Sequence, residues 1–427
     1  MSARLRRRQR SAALGCLLAF VPFAGGATTE YAVEVGKGVE GVDNPFLFPR
    51  GSPDPFNRSD TIHTTNVGAA IRMPLPSDRS FLAISGAASR QDYQAIDSLD
   101  HTQKQFDALY QWEFGQWLRG RLRHRFDQRL YNYYAGRFTQ LETPRNQEDL
   151  VEVALRITPQ LDLPVTYSEK SLRYDDAGLA QRYDSQDRGL RLALTYTSGT
   201  KSVLSVGVRQ TEVNFPQRSA EQIAAIDSGF TDREAFAEVA WRYTENTIVI
   251  GRIGRLDRRF ASLANRNTQL IATELGADWR YSAKTQFSLR GFNRPQSNDQ
   301  ADLRLYVVSS GISARGIWDA TAKTRFSLTG SYELQKYQSF EDVNGIGATG
   351  RDRVSRLTAL MEYAATPQLL LRLEGSREYF RPDPAFSNGT GFARNAVRLG
   401  MNYTFENMTG RNRARQQLDQ LRYERIR

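Results

Sequence analysis

Cysteine, histidine and long hydrophobic segments are all scarce in this sequence of 427 residues. Its one cysteine, Cys16, lies close to the N-terminus, so the chain beyond it cannot form an internal disulfide or a thiolate metal site. The three histidines are scattered over separate segments (His63, His101 and His124), which argues against a histidine metal cluster. No Ser-His-Asp or paired-carboxylate arrangement can be singled out. We therefore expect no cofactor, no bound metal and no enzymatic activity.

The first 27 residues read as a secretion signal. Arginines at positions 4, 6, 7, 8 and 10 precede the short apolar stretch Ser11–Phe23, and small residues follow, so cleavage is predicted after Ala24 or Ala27. After the signal, no segment approaches ~20 uninterrupted apolar residues, and we expect no membrane-spanning helix. Much of the net charge of +11 lies in this signal and in an arginine-rich tail, so it is weak support for binding nucleic acid, and we expect no such partner.

From about residue 29 onward, apolar and polar residues alternate with a period of two. Leu190, Leu192 and Leu194, for example, alternate with Arg191 and Ala193. This alternation is typical of β-strands with one apolar face. The mean hydropathy is only −0.55, because the two faces of such strands cancel in an average.

The connections between these strands alternate between short and long. Two-residue connections such as Gly115-Gln116 are followed by polar stretches such as Asn214–Phe230. Tight turns on one rim and long loops on the other are typical of outer-membrane barrels. We therefore predict an all-β, transmembrane, antiparallel up-and-down β-barrel of about 18 strands, with 16 as the alternative, over residues 28–405. It would lie in the outer membrane of a Gram-negative cell with both ends in the periplasm.

The last predicted strand fits a barrel-closing signal, a polar residue followed by glycine and two alternating aromatics. Arg398, Gly400, Tyr403 and Phe405 occupy these positions. Residues 406–427 follow as a basic periplasmic tail. We expect this tail to be a solvated appendage, either a short helix or without regular structure.

Placing the apolar faces toward lipid directs many arginines into the lumen. The candidate lumen-lining arginines are Arg119, Arg121, Arg123, Arg125, Arg191, Arg242, Arg372, Arg394 and Arg398. Two interpretations remain open. The arginines could pair with acidic residues of neighbouring strands, or they could form a track for anionic sugars, because guanidinium groups pair bidentately with carboxylates.

Several short segments resemble a known family. Gly41 to Phe46 (GVDNPF) and Arg58 to Ile62 (RSDTI), followed by Val67-Gly68, are similar to the opening of EpsL-type outer-membrane proteins of exopolysaccharide operons, which are often linked to exosortase/PEP-CTERM systems. Gly229-Phe230 to Arg233-Glu234 and Leu256-Asp257-Arg258 resemble the family's central hairpin. The resemblance implies a porin-like barrel that supports exopolysaccharide biosynthesis or export and has no agreed catalytic residues.

The alternatives are a general or substrate-specific porin for small solutes and, less favoured, a plugged structural or adhesion barrel or a barrel enzyme. The expected partners are outer-membrane lipid, the barrel assembly machinery, an anionic polysaccharide and periplasmic export components.

Overall fold

The computed structural model describes residues 28–48, 59–75, 79–130, 141–296, 304–341, 347–383, 391–407 and 413–423. The predicted secretion signal, residues 1–27, lies outside these ranges. Eighteen antiparallel strands form one sheet in which each strand pairs with its neighbours in sequence. The first strand also pairs with the last, from Ala32 opposite Glu406 to Val42 opposite Ala396. The sheet is therefore a closed up-and-down barrel, and the predicted count of 18 is confirmed over the alternative of 16.

The strands are β1 Glu30–Val42, β2 Asp60–Pro74, β3 Phe81–Tyr93, β4 His101–Phe114, β5 Leu118–Gln128, β6 Arg145–Thr158, β7 Leu161–Arg173, β8 Ser185–Thr197 and β9 Val203–Asn214. They continue with β10 Gly229–Thr244, β11 Thr247–Phe260, β12 Thr268–Arg280, β13 Thr285–Gln296, β14 Arg304–Asp319, β15 Thr324–Glu341, β16 Gly347–Ala364, β17 Leu369–Arg381 and β18 Phe392–Glu406. Three short α-helices, α1 Ala177–Tyr183, α2 Ala220–Ile226 and α3 Arg413–Tyr423, and two single-turn 3-10 helices, Asp97–Leu99 and Ala264–Arg266, complete the described structure. Among the described residues, no helix is long and apolar enough to cross a membrane.

The two rims of the barrel differ as the connection lengths predict. At one rim, which we call the short-turn rim, hairpins such as Glu245-Asn246 join β10 to β11. Gly115 has a φ of 56° in the turn between β4 and β5, a conformation that costs glycine little. The opposite, long-loop rim carries α1 and α2. β1 begins and β18 ends at the short-turn rim.

The outer surface is apolar, and aromatic side chains collect near the short-turn rim. Trp241 and Tyr243 near the end of β10, Trp279 near the end of β12 and Trp318 near the end of β14 all remain largely exposed. Leucines, valines and isoleucines occupy the outward positions above them, including Leu192, which is 44% exposed. Some of these rings contact one another on the outside, as Trp241 and Tyr243 do with ring centroids 5.1 Å apart, and an aromatic band beside an aliphatic one matches the interface of a lipid bilayer.

The interior of the barrel is not empty on the side of β1 and β2. At the long-loop end, Phe46 and Leu47, from the connection after β1, are buried. Phe46 packs in a cluster with the lumen-facing Ile62 and Tyr93. The Asp-Asn-Pro-Phe segment that carries the family resemblance therefore folds inward, and Asn44 holds it by donating to the carbonyl oxygens of Phe48 and Ala393 at 2.9 and 3.3 Å.

Candidate functional site

The lumen is lined by charged side chains that the strand register places opposite one another. At the seam between β1 and β18, Glu40 is 5% exposed. Arg398 Nε donates to Glu40 Oε2 at 2.8 Å, and Arg394 reaches Glu40 Oε1 at 3.5 Å. Tyr31 and Asn407 add a backbone-to-side-chain hydrogen bond of 2.9 Å at the short-turn end of the seam. Polar pairs thus help to close the barrel.

The four alternating arginines of β5 all contact carboxylates of neighbouring strands. Arg119 lies 2.8 Å from Asp162, and Arg121 lies 2.9 Å from Glu152. Arg123 and Arg125 share Asp107 of β4, at 2.6 and 2.9 Å. For this ladder, the arrangement agrees with the interpretation as cross-strand ion pairs. Their exposed fractions, 30–48%, leave them within reach of water in the lumen.

A second group of charges spans β8 to β11. Glu234 has a side chain only 1% exposed and sits between Arg209 at 2.6 Å and Arg252 at 2.5 Å. Glu238 likewise contacts Arg252 at 3.1 Å and Arg191 at 2.7 Å. A carboxylate this deeply buried is tolerated because two guanidinium groups neutralise it.

A chamber of about 510 Å³ occupies the lumen beside β1–β4 and β16–β18. Its wall combines amide side chains with charged groups of both signs; among them are Asn66, Gln91, Gln103, Gln105, Asn402, Glu34, Glu374, Glu378, Arg356 and Arg372. Leu47 borders it and belongs to the inward-folded loop at the long-loop end, and Leu418 of α3 borders it too. This chamber offers many hydrogen-bond donors and acceptors, and its lining includes four glutamates, six arginines and one lysine, so its negative charges only partly offset its positive ones.

The helix α3 is a lumenal element that the sequence analysis did not foresee. The tail was expected to be a solvated appendage, but Ala414 and Leu418 are 0% and 5% exposed and form a buried cluster with Ala32 of β1 and Ala70 of β2. A Cβ added to Gly68 would lie 3.2 Å from Leu418 Cδ2. The solvated interpretation is therefore wrong for residues 413–423. The readable signal was the spacing of Ala414 and Leu418, one helical turn apart, which places them on one helix face.

Polar contacts tie α3 to the end of the barrel. Arg415 Nη1 donates to the carbonyl of Pro367 at 2.8 Å and to Glu406 Oε1 at 2.9 Å. Burial raises the pKa of Asp419 to about 6; Arg415 and Arg372 lower it, whereas Glu362 and Glu406 raise it further. Arg372 and Glu362 belong to β17 and β16 and contact each other at 3.0 Å. The helix therefore lies among lumenal charges.

The barrel-closing signal maps onto the seam as its pattern implies. Arg398 faces the lumen, whereas Tyr403 and Phe405 face outward with their rings 4.7 Å apart. Gly400 lies opposite Gly38 in the register of β1 and β18. A Cβ on Gly38 would approach the carbonyl oxygen of Leu399 to 3.1 Å, so the strands meet closely at this point.

Arg242 differs from the other candidate arginines. It is exposed near the short-turn rim and forms no ion pair with any residue that the structure describes. Arg280 of β12 is also exposed and Arg315 of β14 is half-buried, and neither forms an ion pair with a residue that the structure describes. Within the described part of the chain, no group of three or more His, Cys, Asp or Glu side chains is arranged to hold a metal ion.

Comparisons with known proteins place the chain only by its fold. No protein family profile matches the sequence, and no curated protein is significantly similar to it. Solved structures with a similar fold include the siderophore receptor PirA from Pseudomonas aeruginosa, with 10% identity over 87% of this chain and 80% of that one and a TM-score of 0.41.

Two further structures have a comparable similarity. The FrpB iron transporter from Neisseria meningitidis has 11% identity over 88% of this chain and 81% of its own, with a TM-score of 0.46. OccAB3 from Acinetobacter baumannii has 10% identity over 88% and 99%, with a TM-score of 0.45. At these values we draw no functional argument from them.

Proposed function

We propose that this barrel is an outer-membrane conduit for carbohydrate that supports exopolysaccharide production or export. The observation that carries the proposal is the chamber between the inward-folded loop and α3. Its amide side chains and oppositely charged groups can hydrogen-bond to many hydroxyl groups at once. Unlike an apolar pocket, such a wall suits a polyhydroxylated chain.

The charges of the chamber are mostly paired, and the arginines in excess suit an acidic saccharide. Because the seam pair Glu40–Arg398 and the pair Arg372–Glu362 neutralise each other, neither presents a strong field to a passing sugar. When the hydroxyl groups of a sugar replace the water around such ion pairs, the interaction energy of the pairs changes little. A sugar chain can therefore move along the lumen without being held at one strongly binding position.

The resemblance to EpsL-type proteins suggests the exopolysaccharide context. The resembling segment Asp43–Phe46 belongs to the loop that borders the chamber, so the sequence feature and the lumenal feature concern the same part of the molecule. Under this proposal the chain would meet periplasmic export components at its short-turn rim.

The test is a clean deletion of the gene in its own bacterium, complemented with the wild-type gene or with a variant of the chamber wall. We expect secreted polysaccharide to fall on deletion and to return with the wild-type gene. The variant Asn66→Leu with Asn402→Leu removes two amides from the chamber and should complement poorly at an equal level of folded barrel. Normal polysaccharide in the deletion strain would refute the proposal.

A porin for small solutes is the competing function, because the same polar wall passes water and ions. Liposome swelling separates the two. A porin admits small neutral sugars at rates that fall smoothly with size, and its deletion leaves polysaccharide unchanged. A carbohydrate conduit gives polysaccharide loss whatever the swelling rate.

A further inference from the structure

We propose that α3, together with the arginines Arg242, Arg280 and Arg315 on the opposite wall, forms a selectivity constriction at the short-turn end of the lumen that favours anionic over cationic cargo. The carbohydrate nature of that cargo rests on the function proposed above, but the charge preference does not. The cargo class is an acidic saccharide whose carboxylates can meet guanidinium groups.

One side of the constriction is α3 itself. It packs against the lumenal faces of β1, β2 and β3, which carry small residues there: Ala32, Gly68, Ala70, Ala83 and Ser85. A wall of small side chains lets the helix approach the sheet closely.

The anchors of α3 lie at the short-turn rim. The backbone N–H of Arg413 donates to Glu30 Oε2 at 2.5 Å, and Glu30 is the first residue of β1. Arg415 binds Pro367 in the turn between β16 and β17. These contacts hold the helix in the mouth of the barrel rather than below it.

The other side of the constriction follows from the ring of strands. In a closed barrel of 18 strands, β11 is nine strands from β2 in either direction, so β10, β12 and their neighbours face α3 across the lumen. Strands ~4.8 Å apart and tilted by ~40° give a ring about 36 Å across between backbones, whereas a helix with its side chains takes about 10 Å. The helix therefore narrows the mouth without filling it.

Three arginines stand on that facing wall at the level of the mouth. Arg242 lies two residues before the end of β10, Arg280 is the last residue of β12, and Arg315 lies four residues before the end of β14. Their strand positions place all three side chains on the lumenal face, in register with known inward residues such as Asp278.

Two of the carboxylates near these arginines are already engaged, and Glu245 lies beyond Arg242 in the exposed turn between β10 and β11. Asp278 pairs with Arg290 at 2.6 Å, and Asp319 pairs with Arg325 at 2.6 Å. No described residue forms an ion pair with Arg242, Arg280 or Arg315, and the Nε of Arg315 is buried with no hydrogen-bond partner among them.

Glu274 also faces the lumen from β12, but it lies six residues from Arg280, which is ~20 Å along a strand. The facing wall of the mouth therefore carries a net positive charge, in contrast to the β5 ladder, where every arginine contacts a carboxylate. A wall with an excess of one sign concentrates ions of the opposite sign beside it.

The experiment measures reversal potentials of the full-length mature barrel in planar bilayers under a KCl gradient. We expect a preference for chloride, and the triple variant R242Q/R280Q/R315Q should lower the anion-to-cation permeability ratio at least about threefold. The matched control is R290Q with D278N, which removes a neutral pair from the same wall and should leave the ratio unchanged. Heat-modifiable migration in SDS gels verifies that each variant is a folded barrel. An unchanged ratio in the folded triple variant, or an equal drop in the control, overturns the proposal.

A second arm tests the helix. Ala414→Glu places a charge in the buried contact with β1 and β2 and should release α3, which raises single-channel conductance and weakens the chloride preference. If trypsin shows that the tail is released but conductance stays at the wild-type value, α3 does not constrict the mouth and the proposal fails. If the arginine variants shift the ratio while deletion of the gene leaves polysaccharide normal, the constriction stands and the carbohydrate assignment falls.

Discussion

Replacing Leu418 by alanine should release α3 from the lumen wall. Leu418 is 5% exposed and packs with Ala32, Ala70 and Ala414. Removing a buried leucine side chain costs 2–5 kcal/mol in protein cores. Here the lower part of that range, about 2–3 kcal/mol, is expected, because the space left behind opens into the hydrated chamber and fills with water. An isolated helix of eleven residues is marginal in water, so undocking and unfolding of α3 occur together.

The docked fraction of α3 should fall accordingly. Since about 1.4 kcal/mol corresponds to a tenfold change in an equilibrium constant, the undocked population rises roughly 30- to 150-fold. Limited trypsin digestion measures this population, because Arg413 and Arg415 are cleavage sites within α3 and are cut only when the helix opens. The intact mass then reports cleavage after Arg413 and Arg415, separately from cleavage after Arg411 before the helix, while the barrel remains whole.

The matched control is Leu399→Ala on the outward face of β18, where the side chain is 56% exposed. It should leave the cleavage rate of the tail unchanged. If the wild-type tail is cleaved as fast as the Leu418→Ala tail, the helix is not docked in solution and the reasoning about the lumen mouth is refuted.

Three further outcomes follow from the structure. Burial raises the pKa of Asp419 to about 6, so docking of α3 is strongest at pH values below the ordinary carboxyl range. Docking weakens as the pH rises through 6, by up to about 2 kcal/mol once partial solvent access is allowed for. Protection of the tail should therefore fall from pH 4 to pH 7 in the wild type and stay constant in Asp419→Asn, and a wild-type profile without slope would contradict this. Glu234→Gln leaves two arginines of β9 and β11 without their buried carboxylate and should destabilise the barrel by about 3 kcal/mol or more. The temperature at which the barrel unfolds in a heat-modification gel should fall accordingly, whereas Glu212→Gln on the exposed part of β9 should leave that temperature unchanged. Gly68→Val should push α3 away because its Cβ would meet Leu418 at 3.2 Å, so its tail should become sensitive to trypsin, while Ala69→Val on the opposite face of the same strand should remain resistant.

The barrel itself could be predicted from sequence because its rules are local. A period of two assigns each side chain to one face, and alternating connection lengths assign each turn to one rim. Leu190, Leu192 and Leu194 are exposed outward as the pattern predicts. β1 runs to Val42 because it pairs with Ala396 across the seam, and such a long-range contact marks the limit of local reasoning.

The state of the lumenal charges could not be predicted, since it depends on register between strands. Asp107 and Asp162 neutralise three of the four ladder arginines. Neither carboxylate stood out in the sequence, because a shift of one residue would have moved it to the lipid face. For the same reason, the sequence did not distinguish Arg242, which has no ion pair among the described residues, from the other candidate lumenal arginines; the pairing of the strands was needed for that.

The tail was misjudged because, among its side chains that the structure describes, only Ala414 and Leu418 make the buried contact. Ala414 and Leu418 are too few to raise the apolar character of a polar segment. Their partners are small residues of β1 and β2 that lie more than 300 positions away in the sequence. A contact of this kind depends on the closed barrel and leaves no local pattern.

The position of α3 across the seam also orders events during assembly. The helix follows β18 but rests on β1 and β2, so its site comes within reach only after the first and last strands have joined. An unfinished barrel would leave this arginine-rich segment exposed, whereas a closed one buries Ala414 and Leu418. Protection of the tail would therefore report closure of the whole ring of strands.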